Sequence, residues 1–372
     1  MHFVDAFCLD QLQLTDLKTI HRGWSGESTS HGRQGQKAER PTKDRPKIPL
    51  LGKEIPLKTL KLSIAALLTA IVFSTGFYLF DHDQFRWSYR CWELAISRWS
   101  CFRGGHFDFE ADLSGARYQG NTGNFLDRHV FFYGAFEKPI LYFLRDVMKS
   151  AYSSDGVFLD IGANTGQHSL FMSRYSKEIH AFEPWEPVIK RFQRMVEINH
   201  IKNVTIYPFG LGNENSEKPF YKPPDNNLGT GSFVDGFKPD NTPQGELEIR
   251  IGDDVLEKAS VKSVALIKMD IEGYEKLALK GLRRTLERYR PVVEFEISID
   301  PKGSVSIKSS DELIGLFPEK YEFLVFAEKD DPATGAYLLE PMSERLRFDE
   351  VRQYDMVAYP IEKKSHIPMK GP

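Results

Sequence analysis

One short stretch constrains the fold of this chain more than any other, because an apolar run passes directly into a glycine-rich turn. Residues 157–161 read VFLDI and predict a buried strand, and Gly162 and Gly166 bracket the turn that follows. Glycines at such a turn let the backbone approach a ligand closely, and the next helix begins with free N–H groups. The order of strand, glycine turn and helix indicates a nucleoside-cofactor site in an α/β domain.

A second acidic residue lies at the spacing that a nucleoside requires. Glu183 ends the next predicted strand, about 20 residues after the turn, where a carboxylate can accept hydrogen bonds from both ribose hydroxyls. Asp160 precedes the turn and Asn164 stands in its middle. A carboxylate at Asp160 would repel a pyrophosphate but suits a cationic amino-acid moiety. The residues therefore favour S-adenosylmethionine, and a nicotinamide-dependent oxidoreductase is the alternative.

The surrounding sequence alternates short apolar runs with helical stretches, which is typical of a mostly parallel sheet with crossover helices. Seven strands are predicted, at 157–161, 178–182, 204–209, 264–269, 292–297, 321–326 and 355–359. Helices are predicted at 169–175, 187–199, 274–289 and 310–317. Residues 225–245, rich in Asn, Gly and Pro, predict a long loop. We expect one α/β domain over residues 118–362, with helices on both faces of its sheet.

Three spaced motifs resemble the FkbM family of methyltransferases. They are DIGANTG at 160–166, FEP at 182–184 and IKMDIEGYE at 267–275. The resemblance covers roughly residues 118–298, and the run 127–137 is similar to the segment that precedes the cofactor motif in some members. It implies a class I, Rossmann-like methyltransferase fold, with S-adenosylmethionine as methyl donor and an oxygen atom, often on a sugar or natural product, as acceptor.

The same resemblance implies which residues contact the cofactor. Gly162, Asn164 and Gly166 would shape the methionine end of the pocket, and Glu183 would hold the ribose. The loop at Gly210 would lie near the adenine. Together with Asp160, these are the predicted cofactor-binding residues.

An alcohol acceptor must also lose its proton, which calls for a general base or a metal. Asp270 and Glu272 follow the fourth predicted strand, at the edge where ligands bind in open α/β sheets. Glu294 and Glu296 alternate along the next strand and should face the same side. Asp270 and Glu272 are the predicted catalytic residues, with helix capping and cofactor contact as alternatives. His168 is either a base or a surface or capping residue, and no metal site is predicted.

Upstream of the domain the sequence contains a polar segment followed by an apolar one. Residues 1–61 include a long polar stretch and are predicted to be disordered. Residues 62–80 contain no charge and predict one transmembrane helix, long enough for the roughly 30 Å core of a bilayer. Residues 81–117 would be a linker. More Lys and Arg precede the span than follow it, which predicts a cytoplasmic N-terminus. The side of the catalytic domain stays open, because a luminal domain would need its cofactor delivered across the membrane.

Composition excludes several classes of function. The net charge of -3 gives no electrostatic reason to expect nucleic acid as a partner, and three cysteines cannot build a disulfide framework. The predicted function is a membrane-anchored O-methyltransferase that uses S-adenosylmethionine and acts on a hydroxyl of a sugar, glycan or small molecule. An inactive scaffold with a methyltransferase fold is a further alternative. The acceptor and the oligomeric state are not predicted.

Overall fold

A computed structural model describes residues 48–50, 53–55, 106–299, 305–327, 334–349 and 351–371. The chain divides into two compact units, Met1–Ala70 and Ile71–Pro372. In the first, strands β1 (Ile48–Leu50) and β2 (Lys53–Ile55) pair in antiparallel fashion. Within the described ranges no helix is long and apolar enough to cross a membrane. The predicted span at 62–80 lies outside these ranges.

The described part of the second unit begins with a hairpin and two helices. These are β3 (Asp108–Leu113), β4 (Ala116–Asn121), α1 (Phe125–Tyr133) and α2 (Lys138–Tyr152). The Tyr118 hydroxyl on β4 donates to Asp127 Oδ1 on α1 at 2.7 Å, and Arg191 reaches the other oxygen of Asp127 at 2.8 Å. The hairpin is therefore joined to the rest of the unit by a buried polar network. Residues 108–117, expected in a linker, are folded here.

The remaining elements follow in chain order. They are β5 (Val157–Ile161), α3 (Gln167–Met172), β6 (Glu178–Phe182), α4 (Glu186–Ile198), β7 (Val204–Tyr207), β8 (Gly210–Gly212), β9 (Ser216–Lys222), β10 (Thr242–Ile251), α5 (Gly252–Lys258), β11 (Leu266–Met269), α6 (Glu275–Gly281), α7 (Arg283–Tyr289), β12 (Val292–Ile299), α8 (Ser310–Gly315), β13 (Tyr321–Phe326), β14 (Leu339–Pro341), α9 (Met342–Arg345) and β15 (Arg352–Pro360), with a final 3₁₀ helix at Ile361–His366.

Eight of these strands form one mixed sheet in the order β14-β13-β15-β12-β11-β5-β6-β7. The strands from β7 to β12 in this order are parallel neighbours, whereas β15 is antiparallel to both β12 and β13. The chain runs outward from β5 to β7 and then crosses to β11 on the other side of β5. Ligands bind in the crevice at such a reversal. This architecture is consistent with the class I methyltransferase fold that the resemblance implies.

The fold departs from the expected one in three respects. The sheet is mixed, because β15 and β14 are antiparallel to the strands beside them. All seven predicted strands are present, but the eighth strand, β14, was missed because a three-residue edge strand gives no periodic signal. The single helix expected at 274–289 is two short helices, α6 and α7, separated by Leu282.

Two hydrophobic cores lie on opposite faces of the sheet. Along β5, Leu159 and Ile161 pack into one core with side chains of α5 to α8. Phe158 points the other way and packs with α1, α2 and α3. Side chains alternate across a strand, so a strand with both faces covered is apolar throughout. Helices therefore cover both faces, as the sequence predicts.

Charged residues interrupt the second face near the carboxyl ends of the strands. Lys268 on β11 is the direct neighbour of Asp160 on β5 and of Glu294 on β12. Paired positions on adjacent strands point to the same face, so the three side chains form a row. At most 3% of each residue is exposed. We call Asp160, Lys268 and Glu294 the charged row.

Candidate functional site

A cavity of about 290 Å³ opens at the carboxyl ends of β5, β6 and β11, where the strand order reverses. This volume is near the lower end of the range for small-molecule pockets. Six of the eight predicted site residues line it, namely Gly162, Asn164, Glu183, Gly210, Asp270 and Glu272. The hairpin–helix segment before the sheet also contributes to the wall, through Phe125, Phe136 and Glu137.

The turn from Gly162 to Gly166, the glycine turn, depends on missing side chains. Gly162 has φ 85°, and a Cβ there would lie 1.8 Å from the carbonyl oxygen of Asp270. Gly166 has φ 83°, and its Cβ would lie 2.0 Å from the ring of Phe192. Gly166 is therefore needed for helix packing, and it does not line the cavity. The close approach of β5, β11 and α4 fixes the shape of the turn.

Glu183 is oriented by backbone hydrogen bonds on both of its carboxylate oxygens. The N–H of Asn164 donates to Oε2 and the N–H of Trp185 donates to Oε1, each at 2.9 Å. Asn164 adopts φ 49°, the left-handed conformation that points its N–H at the acid. Burial raises the pKa of Glu183 to about 7, against the opposing effect of these two N–H groups. The acid predicted to hold a ribose is thus fixed at the cavity wall.

Asp160 lies behind this wall. Its Oδ2 accepts a hydrogen bond from the Ser169 hydroxyl at 2.6 Å, and it is absent from the residues that line the cavity. Burial raises its pKa, whereas the nearby Lys268 and Ser169 act in the opposite direction. Asp160 therefore belongs to the charged row and bonds to α3, and it would act on a bound cation only from behind the cavity wall.

Aromatic side chains surround the predicted adenine end. Trp185, Phe220 and Phe233 line the cavity beside Gly210. Phe220 and Phe233 pack edge to face, with ring centroids 5.3 Å apart. A Cβ on Gly210 would lie 2.9 Å from Phe233, so a glycine is needed for this ring to pack against the strand.

Asp270 and Glu272 each pair with a lysine. Asp270 Oδ2 lies 3.2 Å from Lys268 Nζ, and Glu272 Oε2 lies 3.5 Å from Lys238 Nζ. Glu272 is a non-glycine residue at φ 52°, a conformation that persists only where the surroundings enforce it. Glu275 enforces it here, because its Oε1 accepts from the N–H groups on both sides of Glu272. Burial and the neighbouring Asp270 raise the pKa of Glu272 to about 8.

Glu294 and Glu296 lie on one face of β12, as expected. Glu296 lines the cavity and accepts a hydrogen bond from Gln353 Nε2 at 2.7 Å. Burial and nearby acids, Asp270 first among them, raise its pKa to about 11. Glu294 lies deeper in the charged row, where burial raises its pKa well above the usual range.

Three residues at this site were missed or left undecided by the sequence. Lys268 lies at the centre of the charged row, and a lysine inside an otherwise apolar strand was a signal that could have identified it. Burial alone would lower its pKa, but four surrounding acids, led by Asp270, raise it. His168 is buried and lines the cavity, so it is not a surface residue. Glu137, at the start of α2, had no such signal.

The described residues contain no group of three or more His, Cys, Asp and Glu side chains arranged to hold a metal ion. The acids of this cavity are instead arranged around Lys268 and Lys238.

An α/β sheet with a small-molecule cavity at its switch point, a glycine turn and a fixed acid is the arrangement of a nucleoside-binding α/β domain. Residues 160–329 match the sequence model of the Methyltransferase FkbM domain. The resemblance noted from the three motifs is therefore confirmed over residues 160–329.

Two curated proteins are similar over this region. A hexuronic acid methyltransferase of Haloferax volcanii is 27% identical over 164 residues, which cover 43% of this chain and 64% of that protein. A protein named methyltransferase 1 of Beauveria bassiana is 30% identical over 149 residues, 35% of this chain and 60% of that protein. The chain thus spans less than two thirds of either relative.

Solved structures with a similar arrangement are more distant. A methyltransferase FkbM from Methylobacillus flagellatus has a TM-score of 0.34 at 17% identity, covering 54% of this chain and 44% of that one. A putative methyltransferase from Streptococcus mutans in complex with SAH has a TM-score of 0.31 at 11% identity, covering 55% and 89%.

Proposed function

We propose that this protein transfers a methyl group from S-adenosylmethionine to an oxygen atom of a sugar-type acceptor. The observation that carries the proposal is the anchored carboxylate of Glu183 beside the glycine turn. A carboxylate whose two oxygens are already oriented by N–H groups still has lone pairs for two adjacent hydroxyls. Ribose offers such a pair of hydroxyls.

The cofactor would lie along the cavity wall from the glycine turn to the aromatic cluster. Gly162 and Asn164 would contact the methionine end, Glu183 the ribose, and Gly210 with Trp185 the adenine. All five residues line the cavity. In this arrangement the sulfonium faces the acids of the opposite wall, which favour a cation.

The acceptor side favours a molecule with several hydroxyl groups. Asp270, Glu272 and Glu296 line this side, and the two lysines of the cavity are already paired with Asp270 and Glu272. Carboxylates accept hydrogen bonds from hydroxyls, and sugars present several of them in fixed positions. The name of the Haloferax relative supports the same substrate class.

Calorimetric titration with S-adenosylhomocysteine tests the cofactor assignment. We expect Glu183→Ala to weaken binding by at least tenfold, since both hydroxyl contacts are lost. Glu183→Gln keeps the size of the side chain, so its affinity for S-adenosylhomocysteine should lie between those of wild type and Glu183→Ala. Glu186→Gln is the matched control, because Glu186 is largely exposed and begins α4 three residues later. Unchanged affinity in Glu183→Ala, or tighter binding of NAD than of S-adenosylhomocysteine, would refute the proposal.

The proposal includes a membrane anchor at residues 62–80. Its support is the sequence alone, a run without charge and long enough for a bilayer. Full-length protein should stay with membranes after alkaline carbonate extraction, and deletion of 62–80 should release it. Protease protection in sealed vesicles then reports the side on which the catalytic domain lies. Release of both forms by carbonate would exclude the anchor.

A further inference from the structure

The segment that precedes the matched domain contributes one buried acid to the cavity. Glu137 is the N-cap residue of α2, with φ 49°, and it lies outside residues 160–329. Its side chain lines the cavity beside the start of α3, where His168 is its neighbour, and does not cap its own helix. A non-glycine residue held in the left-handed conformation indicates a position that the surrounding structure enforces.

Glu137 differs from the other acids that line the acceptor side. Lysines lie within ion-pair distance of Asp270 and Glu272, and Gln353 donates to Glu296. In the part of the chain that the structure describes, Glu272 Oε2 and Glu137 Oε2 are both buried without a hydrogen-bond donor, so the difference lies in the group beside Glu137. That group is His168, whose Nε2 lies 3.5 Å from Glu137 Oε2.

From this geometry we infer that Glu137 is the general base that removes the proton from the acceptor hydroxyl. In the step, the hydroxyl proton passes to the Glu137 carboxylate while the oxygen forms a bond to the methyl carbon. The carbon–sulfur bond breaks and its electron pair stays on sulfur, which yields neutral S-adenosylhomocysteine. The protonated Glu137 then releases its proton to solvent. Asp270 and Glu272, held by their lysines, bind other hydroxyls of the acceptor.

The electrostatic surroundings suit this role. Burial raises the pKa of Glu137 to about 8, with Lys268 opposing the shift and Asp270, Asp355 and Glu272 adding to it. A base whose pKa lies near the working pH is efficient at proton transfer. His168 is a weaker candidate, because burial and Lys268 lower its pKa well below the usual value. The charged and titratable groups that face Glu137 are His168, Lys268, Asp270, Glu272, Glu294 and Asp355.

This inference rests on the proposed function, and one variant separates the two. Glu137→Gln keeps the shape of the side chain but cannot accept the proton. In the full-length protein we expect its affinity for S-adenosylhomocysteine to stay within threefold of wild type. Transfer of tritiated methyl groups to a panel of neutral methyl glycosides and glucuronate should fall by about 10²–10⁴-fold. Glu257→Gln, at an exposed acid on α5, is the control and should behave as wild type.

A spectroscopic measurement makes the test independent of the acceptor. Infrared difference spectra, wild type minus Glu137→Gln with S-adenosylhomocysteine bound, should show a protonated carboxyl band that is lost with a midpoint near pH 8. A band that persists unchanged to pH 10 would overturn the inference, because such a carboxyl is not ionised and cannot accept a proton, as would methyl transfer within threefold of wild type. A tenfold loss of cofactor affinity would make Glu137 a cofactor ligand and also overturn it. Failure of wild type itself to bind S-adenosylhomocysteine would instead refute the proposed function.

Discussion

The glycine turn and the charged row are neighbours in the same sheet, because Asp160 lies on the strand that leads into Gly162, but they are built by opposite means. The turn is a backbone structure, in which Gly162 and Gly166 permit close contacts and N–H groups orient Glu183. The charged row is a side-chain structure, in which Lys268 lies between the buried acids Asp160 and Glu294. One region is fixed by steric fit and the other by charge balance.

This difference determines how each region responds to its environment. Steric constraints at the turn do not change with pH, so its shape should persist under all conditions in which the protein is folded. The charged row contains acids whose pKa values are raised by burial, so its charge balance, unlike the shape of the turn, depends on pH. A rigid cofactor wall therefore lies next to buried acids whose charge depends on pH.

The largest expected effect comes from removing the central cation of the charged row. Lys268→Met would remove the buried cation that pairs with Asp270 and lies between Asp160 and Glu294, and removing one partner of a buried pair costs about 3–5 kcal/mol. Losing Lys268 raises the pKa of Asp160 and Glu294 further above their unfolded values. The penalty should therefore be small near pH 5 and grow as pH rises to 8. Urea denaturation at both pH values measures it.

Lys276→Met is the matched control for this change. Lys276 also pairs with an acid, Glu312, but nearer the surface, so its loss should cost less than about 1 kcal/mol. An equal penalty for Lys268→Met at pH 5 and pH 8 would show that the charged row does not hold its acids in ionised form.

The same division explains how much the sequence could predict. The turn was predicted with its neighbours, because Asp160, Gly162, Gly166 and Glu183 lie in local motifs whose spacing reflects backbone geometry. The central strands were predicted for the same reason, since an apolar run between turns is a local signal. Local patterns in the sequence did not identify the charged row or Glu137, which the structure brings to the cavity from distant parts of the chain.

The charged row and Glu137 show why the rest could not be predicted. Asp160, Lys268 and Glu294 are far apart in the chain and become neighbours only through the strand order and register. Glu137 reaches the cavity only because α2 packs against the same face of the sheet as the charged row. Local periodicity does not report contacts between distant residues. The sequence therefore predicted Asp270 and Glu272 as catalytic residues but not the lysines that pair with them.

Alanine at Gly162 tests the steric half of the comparison. A Cβ would collide with backbone at Asp270, and the positive φ adds strain, so we expect a loss of about 2–4 kcal/mol in unfolding free energy. Gly134→Ala separates the two causes, because Gly134 has φ 84° but open space around its Cβ position. The control should lose only about 1–2 kcal/mol. Equal losses would mean that strain, and not the approach of β11, makes Gly162 necessary.

Cofactor affinity should depend on pH through Glu183, although the shape of the turn does not. With a pKa of about 7, Glu183 is mostly protonated at pH 6 and mostly ionised at pH 8. Only the ionised form offers both oxygens to ribose hydroxyls, so affinity for S-adenosylhomocysteine should rise about tenfold from pH 6 to pH 8. Calorimetry at both pH values measures the change. If Glu183→Gln retains the same rise, another acid of the cavity is responsible.

The smallest expected effect lies at the rim of the cavity, where the lysine of the ion pair is partly exposed. Lys238 is 30% exposed and lies 3.5 Å from Glu272, so Lys238→Met should lower the unfolding free energy by less than about 1 kcal/mol. Lys238→Arg keeps the charge and should lose still less. Urea denaturation measures the unfolding free energy of both variants, in parallel with that of Lys268→Met. If the rim variant proved as costly as the buried one, the stabilising effect of these lysines would come from the number of acids nearby and not from their burial. The contrast between the two variants therefore decides whether desolvation is what makes the charged row sensitive to pH.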